Sequence, residues 1–258
     1  MADTTSPRTE RADFTESSDP ALLSSADRGE SQLLDYKRLY ELWERQHWAT
    51  QDLDFTQDRI DWHERIDAEE RFQRMYALSS FFIGEQRVAA ELGPMMRAAP
   101  QEDMRLFLCT QIADEARHVA FFDRFYAEVG VLESDNLQDR LEENVQYTNR
   151  EFGVLFDEML HSRVDRLAAE PEDLETLVET VTIYHMVIEG MLALTGQHFI
   201  TDYNVRQGTL PGFVEGFTKV SRDEHRHVAF GVSVAETRAF AMKALERRMK
   251  VIGLLQAA

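Results

Sequence analysis

The sequence has one cysteine, no long apolar run and few basic residues. A single thiol, Cys109, cannot form a disulfide within the chain, and its apolar neighbours predict that it is buried. No stretch approaches the ~18 apolar residues of a membrane span, and no apolar N-terminal run resembles a signal peptide. We therefore expect a protein of the reducing cytoplasm with no transmembrane segment.

Basic side chains are outnumbered, because 28 Lys and Arg stand against 47 Asp and Glu, a formal net charge of −19. A surface that binds nucleic acid needs clustered Lys and Arg. No nucleic-acid partner is expected, and the acidity is interpreted as a solubilising surface. Alternating β-branched runs are also few, whereas apolar residues recur at helical spacing. This pattern predicts an all-α fold.

Long helical stretches follow an N-terminal tail. Residues 1–30 are rich in Ser, Thr, Asp and Glu, which predicts a disordered tail, and residues 31–258 are predicted to form one domain. A short amphipathic segment at 33–48 and an irregular stretch at 52–62 precede five long helices. Four are core helices, and the third in the chain is a supporting helix without candidate ligands. In order they are predicted at about 68–98, 101–129, 134–169, from Pro171, and after a break at 210–212.

Two of the core helices each carry a Glu and a His three residues apart, which places both side chains on one helix face, about one turn apart. The other two each carry a lone Glu within the apolar stripe. An unpaired buried carboxylate costs several kcal/mol, and the stripes carry no equal number of Lys or Arg, which argues against a bundle held by buried salt bridges. The six candidate metal ligands are Glu85, Glu115, His118, Glu189, Glu224 and His227.

One Glu from each of two helices and a Glu-x-x-His pair from each of two others are the inward-facing ligand set of a di-metal carboxylate four-helix bundle. Oxygen and imidazole ligands without a thiolate suit iron or manganese. Asp114 and Asp223, which precede the paired Glu residues, are candidate acceptors for the imidazole N–H groups. Arg117 and Arg226 are expected to point outward. The predicted architecture is a ferritin-like four-helix bundle with additional helices.

About residues 50 to 250 resemble the ribonucleotide reductase small-subunit-like members of the ferritin-like superfamily. Within that group the chain is similar to ligand-binding oxidases with a mixed manganese/iron centre. The motifs that carry the resemblance are 82–88, 114–118, 184–196 and 223–227. The resemblance implies a di-metal oxidoreductase with manganese and iron, or iron alone, that uses dioxygen, binds a long-chain fatty acid and forms a homodimer.

The same resemblance implies an ether cross-link between Val88, three residues after the first Glu, and Tyr184, five residues before the third. Val88 lies one helical turn from Glu85. An α-helix does not place Tyr184 on the same face as Glu189, because five residues correspond to about 140° around the helix axis. Periodicity alone makes Tyr184 a core residue on the flank of its helix, and only the resemblance nominates it.

Besides an N-oxygenase or another di-iron hydroxylase, two further functions remain open. A radical-generating small subunit of ribonucleotide reductase usually has a Tyr four residues after the first His ligand, and Phe122 stands there in this chain. A non-catalytic ferritin-like metal-binding protein is the second alternative. His185, one turn before Glu189, is left open between a hydrogen-bond donor to the centre, a core histidine and a seventh ligand.

Overall fold

Helices build residues 34–251, the part of the chain that this computed structural model describes, with side chains described as far as Val234. The tail predicted over residues 1–30 lies outside the described residues. Within the described part there is no strand. The helices are α1 Tyr36–Arg45, α2 Thr56–Ile60, α3 Ala68–Ala98, α4 Glu102–Val129, α5 Leu137–Asn144, α6 beginning with Arg150–Gly153 and ending with Ser162–Ala169, α7 Leu174–Gln207 and α8 Pro211–Val251.

The first two core helices begin and end where the sequence predicts. Asp67 caps α3, since its side chain accepts from the Glu70 amide at 2.9 Å, the usual role of Asp at this position. Helix α4 ends at Gly130, which adopts a left-handed φ of 74°, a conformation that favours glycine. The two helices pack against each other along their length and so bring Glu85 beside the Glu115 turn.

Two predictions about connecting segments are wrong. The single supporting helix at 134–169 is instead broken after α5, where Asn144 is buried and accepts from Ser79 Oγ at 2.6 Å. The stretch 52–62 is not irregular, because it contains α2 and a π-helical turn, Asp61–Arg65. Asp58 on α2 accepts from the Gly212 and Phe213 amides at 2.8 and 2.6 Å. This contact caps the start of α8, the last core helix.

Helix α7 is π-helical in its middle third, over Thr182–Ala193. By length and composition α7 is apolar enough to cross a membrane, and it is the one such helix in the part of the chain described. The expectation that no stretch approaches a membrane span is therefore wrong on composition. Its residues Tyr184, His185 and Glu189 are buried against the bundle, which is the behaviour of a core helix.

Two apolar clusters fill the bundle. One contains Val88, Phe107, Tyr184 and Phe230; the other is dominated by aromatic rings, with Phe122 among them. The centre of the bundle between them is polar. Cys109 belongs to neither cluster, because it is exposed; the prediction of a buried thiol is wrong, since its position on α4 faces away from the bundle.

Candidate metal centre

The six candidate ligands meet in the interior of the bundle. Helix α3 supplies Glu85, α4 supplies Glu115 and His118, α7 supplies Glu189, and α8 supplies Glu224 and His227, and all six side chains are buried. Their ligand atoms form two groups, in each of which the atoms lie within 4.8 Å of one another. The first ligand group is Glu85, Glu115, His118 and Glu224, and the second ligand group is Glu115, Glu189, Glu224 and His227.

Glu115 and Glu224 belong to both ligand groups, so each carboxylate is placed to bridge two cations. The imidazoles present the same nitrogen inward. His118 Nδ1 lies 3.2 Å from Glu85 Oε2, and His227 Nδ1 lies 3.3 Å from Glu189 Oε1. This pseudo-symmetric arrangement offers one imidazole, one terminal carboxylate and two shared carboxylates to each position.

Several carboxylate oxygens at the centre have no hydrogen-bond partner within the described residues: Glu115 Oε2, Glu189 Oε2 and Glu224 Oε2. Orphaned buried polar atoms are rare in native proteins and call for an unseen partner. Two divalent cations would balance four carboxylates. The oxygen and nitrogen donors, without sulfur, match manganese and iron. The residues therefore fit the metal pair.

The charges at the centre are strongly coupled. Burial raises the pKa of Glu85 and of Glu189 well above the ordinary value. Burial acts in the same direction on Glu115, but hydrogen bonding to His118 and the charge of His227 lower the pKa of Glu115 to about 2. Without cations the cluster therefore holds protons that divalent metals would displace, a coupling expected of metal sites.

The outer nitrogen of each imidazole contacts an aspartate from the opposite Glu-x-x-His helix. His227 Nε2 lies 3.2 Å from Asp114 Oδ2, and His118 Nε2 lies 3.4 Å from Asp223 Oδ2. Each aspartate also accepts an indole N–H, from Trp43 or Trp48. The aspartates thus fix the ring orientation and leave Nδ1 free for a metal, as the sequence suggested, although each serves the other helix's histidine.

The prediction that Arg226 points outward is wrong, because its side chain points into the bundle. It is 4% exposed and donates to Asp114 Oδ2 at 3.0 Å and Asp223 Oδ1 at 2.7 Å. Arg117 is mostly covered as well and donates to Asp114. Although burial acts the other way, hydrogen bonding to His118 and the charge of Arg226 hold the pKa of Asp223 below its ordinary value, and the buried arginine lies between the two aspartates.

Tyr184 reaches the centre through the π-helical part of α7. In a π-helix the hydrogen bonds join residues five apart, as Leu194 N to Glu189 O shows here. Residues five apart therefore share a face, and Tyr184 comes to lie above Glu189 instead of on the flank that an α-helical wheel predicts. Its hydroxyl donates to Glu115 Oε1 at 2.7 Å. Burial and the Glu115 charge hold the pKa of Tyr184 well above its ordinary value.

His185 and Gln111 form a buried pair beside Tyr184. His185 Nε2 lies 3.0 Å from Gln111 Oε1, and burial lowers the pKa of His185 to about 3. His185 is in neither ligand group, so the structure favours a neutral histidine that bonds to the surroundings of the centre. Gln111 was not predicted to be a site residue, although its position one helical turn before Glu115 indicates the same helix face.

A cavity of about 620 Å³ opens onto the same centre. The carboxylates of Glu85, Glu115, Glu189 and Glu224 lie along its wall, and the rest of the lining, which includes Glu151, is mainly apolar. Val88 lies on this wall and is 4% exposed. Gly84 also lines it, and a Cβ atom there would meet nothing closer than Phe156 at 3.7 Å. The missing side chain keeps the cavity open beside Glu85.

The helical bundle and the buried carboxylate–histidine cluster define a di-metal oxidoreductase. The family model for the small chain of ribonucleotide reductase matches residues 32–252. The chain therefore belongs to the ribonucleotide reductase small chain family.

Solved structures of R2-like ligand-binding oxidases are similar over most of the chain. One with aerobically reconstituted Mn/Fe cofactor is 30% identical, with a TM-score of 0.69 over 77% of this chain and 67% of that one. A tyrosine-to-phenylalanine variant with aerobically reconstituted Mn/Fe cofactor is 27% identical, with a TM-score of 0.70 over 82% and 75%. A valine-to-isoleucine variant with anaerobically reconstituted Mn/Fe cofactor is 27% identical, with a TM-score of 0.70 over 81% of this chain and 75% of that one.

These similarities confirm the predicted all-α fold, the oxidoreductase class and the manganese and iron cofactor. The similar structures carry Mn/Fe, and the buried cluster in this chain has the donors for a metal pair.

Proposed function

We propose that the protein is a dioxygen-using di-metal oxidase with Glu85, Glu115, His118, Glu189, Glu224 and His227 as its metal ligands. It binds a long-chain fatty acid or a similar apolar ligand and joins Val88 to Tyr184 by an ether bond. The observation that carries the proposal is the hydrogen bond from the Tyr184 hydroxyl to Glu115 Oε1, at 2.7 Å, beside a cavity whose wall includes Val88. Both reacting side chains thus border the same carboxylate cluster.

The cavity suits a long apolar ligand. Its wall is mainly apolar, with Phe81, Phe152, Phe156 and Ile188 among the lining residues, and its inner end is formed by carboxylates. An anionic head group at that end requires cations, because four carboxylates alone would repel it. A fatty acid therefore fits the metal-loaded centre, with its chain along the apolar wall.

Manganese and iron held by the six ligands would supply two of the four electrons that reduce dioxygen to two waters, by oxidation of each metal from +2 to +3. The chain supplies the other two. Val88 loses its tertiary Cβ–H, Tyr184 loses its O–H, and a Cβ–O bond forms between them. The two hydrogens leave as protons and electrons, and two more protons come from solvent. Glu115 holds the phenol proton until it is transferred, and the apolar wall excludes water from the reacting Cβ.

Tryptic mass spectrometry after aerobic loading with manganese and iron tests the cross-link. The peptides that contain Val88 and Tyr184 should be joined and lighter by two hydrogens than their sum. Tyr184→Phe and Val88→Ala are matched controls, since the first lacks the phenol and the second lacks the tertiary C–H. Separate peptides in the metal-loaded native chain would remove the cross-linking claim.

Extraction and mass spectrometry of bound organic acids test the ligand. Gly84→Phe is the control, because its ring would occupy the cavity beside Phe156. A fatty acid in the native chain that is lost in this variant supports the proposal, whereas equal recovery from both places the ligand elsewhere. A homodimer and a cytoplasmic location are further proposals, which size-exclusion chromatography and fractionation test.

A radical-generating subunit of ribonucleotide reductase is the second candidate, and the family match favours it. Phe122 is buried and stacks on Phe82, with ring centroids 5.8 Å apart. The side chain in the position of the usual radical tyrosine therefore has no phenol. Nucleotide reduction together with a large subunit would support this candidate over the oxidase.

A further inference from the structure

The amide of Gln111 connects three groups around the centre. Gln111 lies on α4 and is fully buried. Its Nε2 is 3.0 Å from Glu189 Oε1 and 3.2 Å from the Tyr184 hydroxyl. Its Oε1 is 3.0 Å from His185 Nε2. One side chain therefore contacts a candidate ligand, the candidate reacting phenol and a histidine that no other part of the mechanism uses.

The two ends of the Gln111 amide have different partners. In the structure the amide NH₂ of Gln111 faces Glu189, and it also reaches the phenol oxygen. The amide oxygen can only accept and faces His185, which must then donate from Nε2. Because His185 is neutral, this donation places its single ring proton on Nε2. His185 thus prevents the amide from turning over.

The phenol is held from two sides as a result. Its oxygen accepts from Gln111, and its own O–H donates to Glu115 Oε1 at 2.7 Å. We propose that Gln111, held by His185, is a positioning residue that directs the O–H of Tyr184 onto the shared carboxylate of Glu115. The proposal rests on the proposed oxidase function.

The role follows from the bond changes of that reaction. The Tyr184 O–H and the Val88 Cβ–H break, one C–O bond forms, and the two electrons released go to dioxygen together with the two from the metals. A phenol whose O–H points at Glu115 delivers its proton to the cluster and keeps its oxygen in place for Val88. Without Gln111 the phenol oxygen is held only through its own O–H, and misplacement of a reacting group lowers rates by up to about 100-fold.

The test begins on metal-free protein. Gln111→Met keeps the length of the side chain but removes both the donor and the acceptor. Ultraviolet resonance Raman spectra distinguish a tyrosine that both donates and accepts from one that only donates, and subtraction of the corresponding Tyr184→Phe spectrum isolates this residue from the other six tyrosines of the seven in the chain. We expect donor-and-acceptor character in the native chain and donor-only character in Gln111→Met. An unchanged difference spectrum would overturn the proposal.

Aerobic loading with manganese and iron then measures the rate of Val88–Tyr184 cross-linking. We expect Gln111→Met to bind metal but to cross-link about 10- to 100-fold more slowly. Cys109→Ser, an exposed position on the same helix, is the control and should match the native rate. His185→Leu combined with Gln111→Met should be no slower than Gln111→Met alone, because both act through one phenol. A native rate in Gln111→Met overturns the proposal.

The two proposals fail in different ways. If the native chain forms no cross-link, the proposed function fails, and the Raman spectra of metal-free protein still decide whether Gln111 orients the phenol. If Gln111→Met does not fold, Gln111→Asn keeps a polar amide that is one methylene too short to reach the phenol. It is expected to give the same donor-only spectrum, and a native spectrum from it counts against the proposal.

Discussion

Replacing Glu189 by Gln is expected to change stability in opposite directions with and without metal. Glu189 is 3% exposed, and burial raises its pKa well above the ordinary value, so the metal-free fold pays for this carboxylate. Gln has nearly the same shape, and its Oε1 can still accept the N–H of Gln111. The substitution therefore removes a group that must take up a proton when it is buried without metal, and it leaves no cavity.

The magnitude follows from the burial. Replacing buried ionic groups by neutral ones of similar volume often stabilises by about 1–4 kcal/mol. Because Gln keeps some polar character, we expect about 1–2 kcal/mol in the metal-free protein. For a domain of this size, that corresponds to a rise of roughly 2–8 °C in Tm. With metals the variant loses a charged ligand, and we expect affinity at the second ligand group to fall by at least about 10- to 100-fold.

Equilibrium urea unfolding in a chelator and in excess manganese and iron measures both effects. Glu175→Gln, an exposed position on the same helix, is the control and should shift stability by less than about 0.5 kcal/mol in both conditions. Equal destabilisation of Glu189→Gln with and without metals would refute the reasoning, because Glu189 would then be a structural residue. Undiminished metal affinity would show that it is not a ligand.

Three further predictions concern the surrounding structure. Asp58→Ala removes the acceptor for two amides at the start of α8 and should lower the free energy of unfolding by about 1–2 kcal/mol in urea titrations; no change would contradict the capping role. Gly231→Ala places a Cβ atom 2.3 Å from His185 Cβ and should lower the free energy of unfolding in urea by about 1–3 kcal/mol. Gly93→Ala is the control and should not lower it, because a Cβ atom there meets nothing within 4 Å. The folded-state pKa values of Glu85 and Glu189 are raised above the ordinary 4.5, so folding takes up protons. The metal-free protein should therefore lose stability as pH rises. Urea unfolding midpoints that stay constant from pH 6 to 9 would contradict this prediction.

The ligand positions were predictable because helical spacing relates distant parts of the chain. Glu115 and His118 share a face whatever the tertiary structure is, and Glu224 and His227 repeat the pattern. Lone Glu residues within apolar stripes supply the other two positions. Adjacent long helices then place the four ligand-bearing turns at one height, and the structure brings their side chains together.

Tyr184 shows where periodicity fails. An α-helical wheel puts it on the flank of its helix, whereas the π-helical stretch turns it onto the face of Glu189. Whether a segment becomes π-helical depends on its packing in the fold, for which the local sequence gives no clear signal. Family resemblance nominated Tyr184, and the structure supplies the physical reason for its position.

The buried polar networks could not be predicted from the sequence either. Arg226 lies between Glu224 and His227 and was expected to point outward, but its hydrogen bonds to Asp114 and Asp223, from different helices, hold it in the interior. Gln111 similarly acquires its partners only when α4 and α7 come together. Such contacts depend on side-chain geometry between elements, which spacing within one helix does not describe.

Anomalous diffraction at the manganese and iron absorption edges, from crystals of the aerobically loaded protein, tests the central claim most directly. We expect two peaks, one within the first ligand group and one within the second, each beside the Nδ1 atom of a histidine and with the carboxylates of Glu115 and Glu224 between them. A single peak, or metal bound away from these residues, would contradict the di-metal centre on which the oxidase depends.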